Sequence, residues 1–140
     1  MKKYEILEHR ADLKIRAFGE DLKELFENVM VGMFESVKYE PAFAEATAGK
    51  EIKREIKISS LDLPSLLVDF LSEVLYFCEA NKEVYHKVLF KNLTEKELEG
   101  ILIGKKLERI GVQIKGVTYH DLDIHQRKDG TREAAVLFDI

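Results

Sequence analysis

The sequence contains a single cysteine, Cys78, among 140 residues. One thiol excludes an internal disulfide and offers no zinc-ligand spacing. No apolar run is long enough to span a membrane. The first residues, MKKYEILEHRAD, are charged from the start and lack the apolar stretch of a secretory signal. These absences point to a cytoplasmic protein with no membrane partner. A basic excess is missing too: 22 Lys and Arg face 26 Asp and Glu, a net charge of −4. Broad, sequence-independent binding to nucleic acid is therefore not expected from charge alone. There is no Gly-rich phosphate loop, no serine elbow and no Cys/His nucleophile pair at a supportive spacing. Nothing here reads as a self-contained enzyme.

What is present suits one ordinary domain, residues 1–140. The chain is 46% hydrophobic, enough for a core, and 34% charged, enough for a wetted surface. Residues 3–8 and 12–18 read as strands; in the second, Leu13, Ile15 and Ala17 alternate with Lys14 and Arg16. Asp21 and Glu24 form a capping-box pattern ahead of an apolar face at helical spacing, which predicts a helix over 21–37. Residues 38–50, with Pro41, repeated Ala and Gly49, read as a loop with a short helical turn. EIKREIKIS alternates as a strand with one wet face, Arg54 lying among Ile52, Ile56 and Ile58. Asp62 and Pro64 start a second helix with a broad apolar surface. Further strands are expected near 83–92, 96–103, 112–126 and 131–139, the last two joined by the Asp129-Gly130 hairpin signal. The fold class predicted is α+β: two helices packed on one face of a largely antiparallel sheet, in two layers.

Four places hold candidate chemistry. The final Asp139 and Ile140 offer up to four carboxylate oxygens, which repel unless a cation sits between them. A hard ion such as Ca²⁺ or Mg²⁺ would meet that need; an exposed, solvated chain end is the simpler alternative. In HRAD, residues 9–12, His9 closes the first strand and Asp12 opens the second; a polar turn explains them equally well. Asp69 and Glu73 share a helix face at i and i+4, either solvated or partly buried with a partner. In VTYHDLDIHQ, period-2 counting puts Asp121, Asp123 and His125 on one side and His120 on the other. Such a row could hold a metal if ligands converge from elsewhere, but a wet strand face also accounts for it.

Taken in order, EILEHRADLKIRAFGEDLKELFENVMVGMF, LLVDFLSEVLYFCE, IKGVTYHDLDI and the terminal VLFDI resemble the archease family over the whole chain. Arg10 departs from the Thr usual in that family's His-Thr-Ala-Asp element, and Gly116 from the Ala usual before Val-Thr-Tyr-His. The resemblance implies a small cytoplasmic α+β protein without catalysis of its own. It implies a protein cofactor of the RtcB-type RNA ligase, promoting guanylylation of the ligase by GTP and multiple turnover in tRNA splicing and RNA repair. tRNA would be met only through the ligase. It further implies a divalent-cation site (Ca²⁺ in crystals, Mg²⁺ or Mn²⁺ in the cell) at Asp12, Asp139 and Ile140. His9, Asp69, Glu73, Lys115 and His120 become candidate partner contacts. Two other readings remain open at this stage. One is a chaperone-like or RNA-modification accessory protein working without metal. The other is a metal-dependent hydrolase using Asp121, Asp123 and His125.

Overall fold

Two aspartates start the two helices. Asp21 caps α1 (Leu22–Ser36), its Oδ1 accepting from the Glu24 N–H at 2.9 Å. Glu24 returns a bond to the Glu20 N–H at 3.1 Å, so the box closes one residue further out than the standard pattern. Asp62 caps α2 (Leu63–Asn81) by accepting from the Ser65 N–H at 2.9 Å, with Pro64 in the first turn. Each cap satisfies an amide that the helix leaves unpaired. The helix ends at Lys82 in the left-handed region, φ 56°, with its N–H on the Cys78 carbonyl.

The structure, a computed structural model, describes residues 2–7, 12–41 and 51–140. Eight strands accompany the helices in these residues: β1 (Tyr4–Leu7), β2 (Asp12–Gly19), β3 (Tyr39–Pro41), β4 (Ile52–Ser59), β5 (Glu83–Leu93), β6 (Glu97–Ile110), β7 (Gly116–Gln126) and β8 (Arg132–Asp139). All pair antiparallel, and they divide into two four-stranded sheets. The first runs β1-β2-β8-β7. In the second, β6 is the hub, pairing with β3, β4 and β5. The α+β class is as expected; the partition into two sheets and the strand β3 are additions. Tyr39–Pro41 was expected to be loop. It pairs instead with the far end of β6, with Pro41 as the last strand residue, where its missing N–H interrupts nothing that follows. The rest of that expected loop, 42–50, with the helical turn it was expected to hold, lies outside the described residues.

Each helix touches both sheets, α1 against β2 and β5, α2 against β7 and β5. Leu25, Phe26, Met30 and Met33 from α1 meet Leu66, Phe70, Leu71 and Val74 from α2 in one buried cluster with Ile15, Val136 and Phe138. Phe26 and Phe70 pack with ring centroids 5.5 Å apart. The ring of Tyr4 lies on Gly32, where a Cβ would come within 2.8 Å of it. The Tyr4 hydroxyl donates to Glu35 at 3.0 Å, tying β1 to α1.

Several polar groups inside are satisfied by side chains, while Arg16 Nε and Ser36 Oγ are buried without a hydrogen-bond partner among the described residues. Asn28 donates to the Phe18 carbonyl at 2.7 Å. At an irregularity of β5, the Val88 N–H donates to Glu27 of α1 at 2.8 Å. Arg54, on the inward side of β4, makes two bonds of 3.2 and 2.7 Å to Glu83, which also accepts from the buried Tyr85 hydroxyl at 2.7 Å. The Glu83 hydrogen bond raises the Arg54 pKa, and burial followed by the same carboxylate raises that of Tyr85.

Candidate functional site

β8 lies between β2 and β7 and is buried from Ala134 to Phe138. Its inward residues Ala134, Val136 and Phe138 join the core. By strand alternation, Glu133, Ala135, Leu137 and Asp139 share the opposite face. The register sets them beside partners from both neighbours. Asp12 is the direct partner of Asp139, and Gly116 is the partner of Asp139 on the other side. Two carboxylates therefore stand cross-strand at one end of the outer face, a pairing that is unfavourable without a compensating charge.

This end of the sheet is held by its backbone. The Lys115 N–H donates to the Asp139 carbonyl at 2.7 Å. Just before it, the Ile114 N–H donates to the Tyr39 hydroxyl at 2.8 Å. Burial raises the pKa of that phenol. The Ile140 side chain is partly buried and packs against the core. A Cβ at Gly116 would meet no heavy atom within 4 Å, so the glycine there reflects no crowding.

The other candidates separate from one another. The Lys115 side chain is exposed. It borders a groove of about 440 Å³ between α2 and the β6–β7 connection, lined also by Tyr76, Glu79, Ile110, Gly116 and Val117. Tyr76, Ile110 and Val112 are exposed apolar residues in this region. Asp69 is half-buried and accepts from the Ser60 hydroxyl at 2.6 Å, so it has a partner rather than a solvated face. Glu73 is half-buried one turn on. Among the described residues neither hydrogen-bonds to Asp139. His9, like Arg10, lies outside the described residues.

β7 departs from the period-2 pattern. Between the pairs Thr118↔Leu137 and Asp123↔Ala135, β7 takes five steps while β8 takes two. Tyr119 to Leu122 form a bulge opposite Val136, with Asp121 at φ 55°. Asp121 is thereby removed from the expected row and sits 3.4 Å from His120. His120 itself is not hydrogen-bonded inside the sheet; its side chain is 74% exposed.

Asp123 and His125 do share a face, and they are joined by a residue the sequence pattern did not single out. Glu133 is the direct partner of His125. Ligand atoms of Asp123, His125 and Glu133 lie within 4.8 Å of one another. The signal was available in the hairpin. The turn closes with the Arg127 N–H on the Thr131 carbonyl and Gly130 at φ 92°, and counting outward from it brings 125 opposite 133. Six residues separate Glu133 from Asp139 along β8, about 20 Å at roughly 3.3 Å per residue.

Comparison with known proteins places this architecture. Residues 4–140 match the archease protein family. The archease of Methanosarcina mazei is 37% identical over 147 aligned positions, covering 99% of this chain and 97% of the relative. That of Pyrococcus abyssi is 33% identical over the full length of both. A solution structure from Methanobacterium thermoautotrophicum superposes with a TM-score of 0.70 at 29% identity, covering 100% of both chains. A Thermotoga maritima crystal structure, described as an archease and possible chaperone, gives 0.67 at 18% identity over 96% of this chain and 94% of that one. The chain belongs to the archease family. Among the described residues, no helix is long and apolar enough to cross a membrane.

Proposed function

We propose that this protein is a cytoplasmic, non-catalytic activator of an RtcB-type RNA ligase in tRNA splicing and RNA repair. It promotes GTP-dependent guanylylation of the ligase and multiple turnover. The observation that carries this reading is the juxtaposition of Asp12 and Asp139 as direct cross-strand partners beside Ile140. The donors are all oxygen, the chemistry that suits Ca²⁺, Mg²⁺ or Mn²⁺. The Asp12 and Asp139 carboxylates and a main-chain oxygen of Ile140 would hold the ion. When bound, it supplies positive charge that relieves the repulsion between the carboxylates.

The chain's own residues then do the positioning. The Lys115 amide engages the Asp139 carbonyl, and Ile140 anchors on the core, so the carboxylates project from a fixed edge. The groove beside Lys115 includes Gly116, the residue opposite Asp139. It offers the ligase a docking surface of mixed polar and apolar character, with Tyr76, Ile110 and Lys115 in its lining. Asp69 and Glu73 contribute to that contact from α2. tRNA is reached through the ligase.

The direct test is RNA joining by the cognate ligase at substoichiometric enzyme, with and without this protein. Added protein is expected to raise formation of the ligase–guanylate intermediate and to convert single turnover to multiple turnover. Asp139→Asn, or a few residues appended after Ile140, should abolish both effects. Unchanged ligase guanylylation in the presence of the intact protein sinks the proposal. A second reading, a chaperone-like accessory protein, draws on the description of the Thermotoga maritima relative and on exposed Tyr76, Ile110 and Val112. It predicts that groove variants such as Tyr76→Ser lose partner binding while Asp139→Asn does not.

A further inference from the structure

The outer face that carries Asp12 and Asp139 at one end carries a different donor set at the other. His125 Nδ1 lies 2.7 Å from Asp123 Oδ2. In the neutral tautomer that donates Nδ1–H to Asp123, Nε2 keeps its lone pair. Nε2 is the nitrogen that faces Glu133, 3.8 Å from Oε2. A carboxylate behind an imidazole is the arrangement that orients metal-binding histidines. Two ligands bonded to one tetrahedral ion at about 2.1 Å stand roughly 3.4 Å apart. The Glu133–His125 gap therefore needs only a small side-chain adjustment to receive an ion.

Glu133 has unused capacity. Its side chain is only 19% exposed, yet among the described residues it accepts no hydrogen bond. Arg16 and Arg127 approach it at 3.7 and 3.9 Å, beyond hydrogen-bonding distance. Arg16 is closer to Glu5, at 3.2 Å, and Arg127 lies over the Phe18 ring at 5.4 Å. The carboxylates of Asp123, Glu133 and Glu5 outnumber the guanidinium groups of Arg16 and Arg127 in the cluster.

We propose that His125 Nε2 and Glu133, with Asp123 orienting the imidazole, form a second metal site, for a zinc-class divalent transition ion. An imidazole selects such ions over Ca²⁺ and Mg²⁺, which prefer oxygen alone. The site is distinct from the terminal carboxylates and keeps coordination positions open to water or an external ligand. The hairpin at Asp129-Gly130 builds it by fixing the 125–133 register.

The test uses untagged, chelator-treated protein. Zn²⁺ is titrated by calorimetry and Co²⁺ by visible absorption, both in excess Ca²⁺ to occupy hard-ion sites. Far-UV circular dichroism confirms that each variant is folded. Expected is one Zn²⁺ per chain, lost in His125→Ala and in Glu133→Gln and weakened about 10-fold or more in Asp123→Asn. Asp139→Asn and His120→Ala should leave it intact. Absence of Zn²⁺ binding by the folded wild type overturns the proposal. So does binding that survives His125→Ala, or that disappears with His120→Ala or Asp139→Asn. None of these readouts involves the ligase, so this site and the terminal one fail separately.

Discussion

Arg54 holds Glu83 through both carboxylate oxygens, from a strand position whose neighbours Ile52, Ile56 and Ile58 are apolar. Glu83 is buried and is bonded a third time by Tyr85. Removing one partner of such a pair strands the other charge. Arg54→Met is expected to cost about 2–4 kcal/mol in urea unfolding. The double variant Arg54→Met with Glu83→Gln should recover part of that loss, because no bare carboxylate remains. An additive double variant would show that the pair does not act as a unit.

Gly32 inverts a general rule. Glycine to alanine inside a helix ordinarily stabilises by roughly 1 kcal/mol. Here the new Cβ would meet the Tyr4 ring at 2.8 Å. Gly32→Ala is therefore expected to destabilise the protein by about 1–2 kcal/mol. In a Tyr4→Ala background the same change should stabilise. A thermal-melt double-mutant cycle reads the reversal of sign.

The helix cap at Asp62 carries a pH signature. The Ser65 amide and hydroxyl lower its pKa, as Thr131 lowers that of Asp129 at the hairpin. A carboxyl depressed in the folded state stabilises it above the unfolded pKa, near 3.9, and loses that contribution as pH falls through the folded value. Asp62→Ala should melt earlier than wild type at pH 6. The gap should narrow progressively as the pH falls below the unfolded carboxyl value. A gap that is constant with pH would assign the effect to packing instead of to the ionised cap.

Cys78 is 2% exposed, and burial pushes its thiol up to about 12. The thiolate is the reactive form, so alkylating reagents should leave Cys78 unmodified at pH 8 in the folded protein and react on unfolding. Because this acid is raised on folding, its stabilising contribution is present below the unfolded thiol pKa. It is lost as pH climbs toward 12. Cys78→Ala should show a shallower decline in stability above pH 9 than wild type.

On the proposed reading the carboxylates of Asp12 and Asp139 share one divalent ion, and Asp139→Asn removes one of its ligands. Added Ca²⁺ should raise the wild-type melting temperature and leave the variant unmoved. An equal Ca²⁺ response in both proteins places the ion elsewhere.

How far the sequence reached depends on the range of the interactions. The caps at Asp21 and Asp62, the alternation of β2 and β4 and the Asp129-Gly130 turn are local, and each was readable. The split into two sheets depends on which strands β6 and β8 meet, which no window of residues encodes. β3 is three residues long and exists through pairing with the distal end of β6. The β7 bulge defeated a fixed period of two: once Tyr119–Leu122 are extruded, Asp121 leaves the Asp123–His125 face. The Asp12–Asp139 pairing drew on family resemblance, since neither HRAD nor VLFDI carries a pattern that names the other. Glu133 stands out in no pattern along β7, because the partner strand β8 supplies it to the cross-strand cluster.

The bulge in β7 has a consequence for crowded conditions. Among the described residues β7 is an edge strand, eleven residues long and so able to recruit a strand from a neighbouring molecule. Three surplus residues and a left-handed Asp121 interrupt its row of amides and carbonyls midway. A foreign strand could match the segment before the bulge or the one after it, but not both in one register. Straightening the bulge by deleting three residues would therefore leave the hydrophobic core largely untouched and make the protein prone to self-association through this edge.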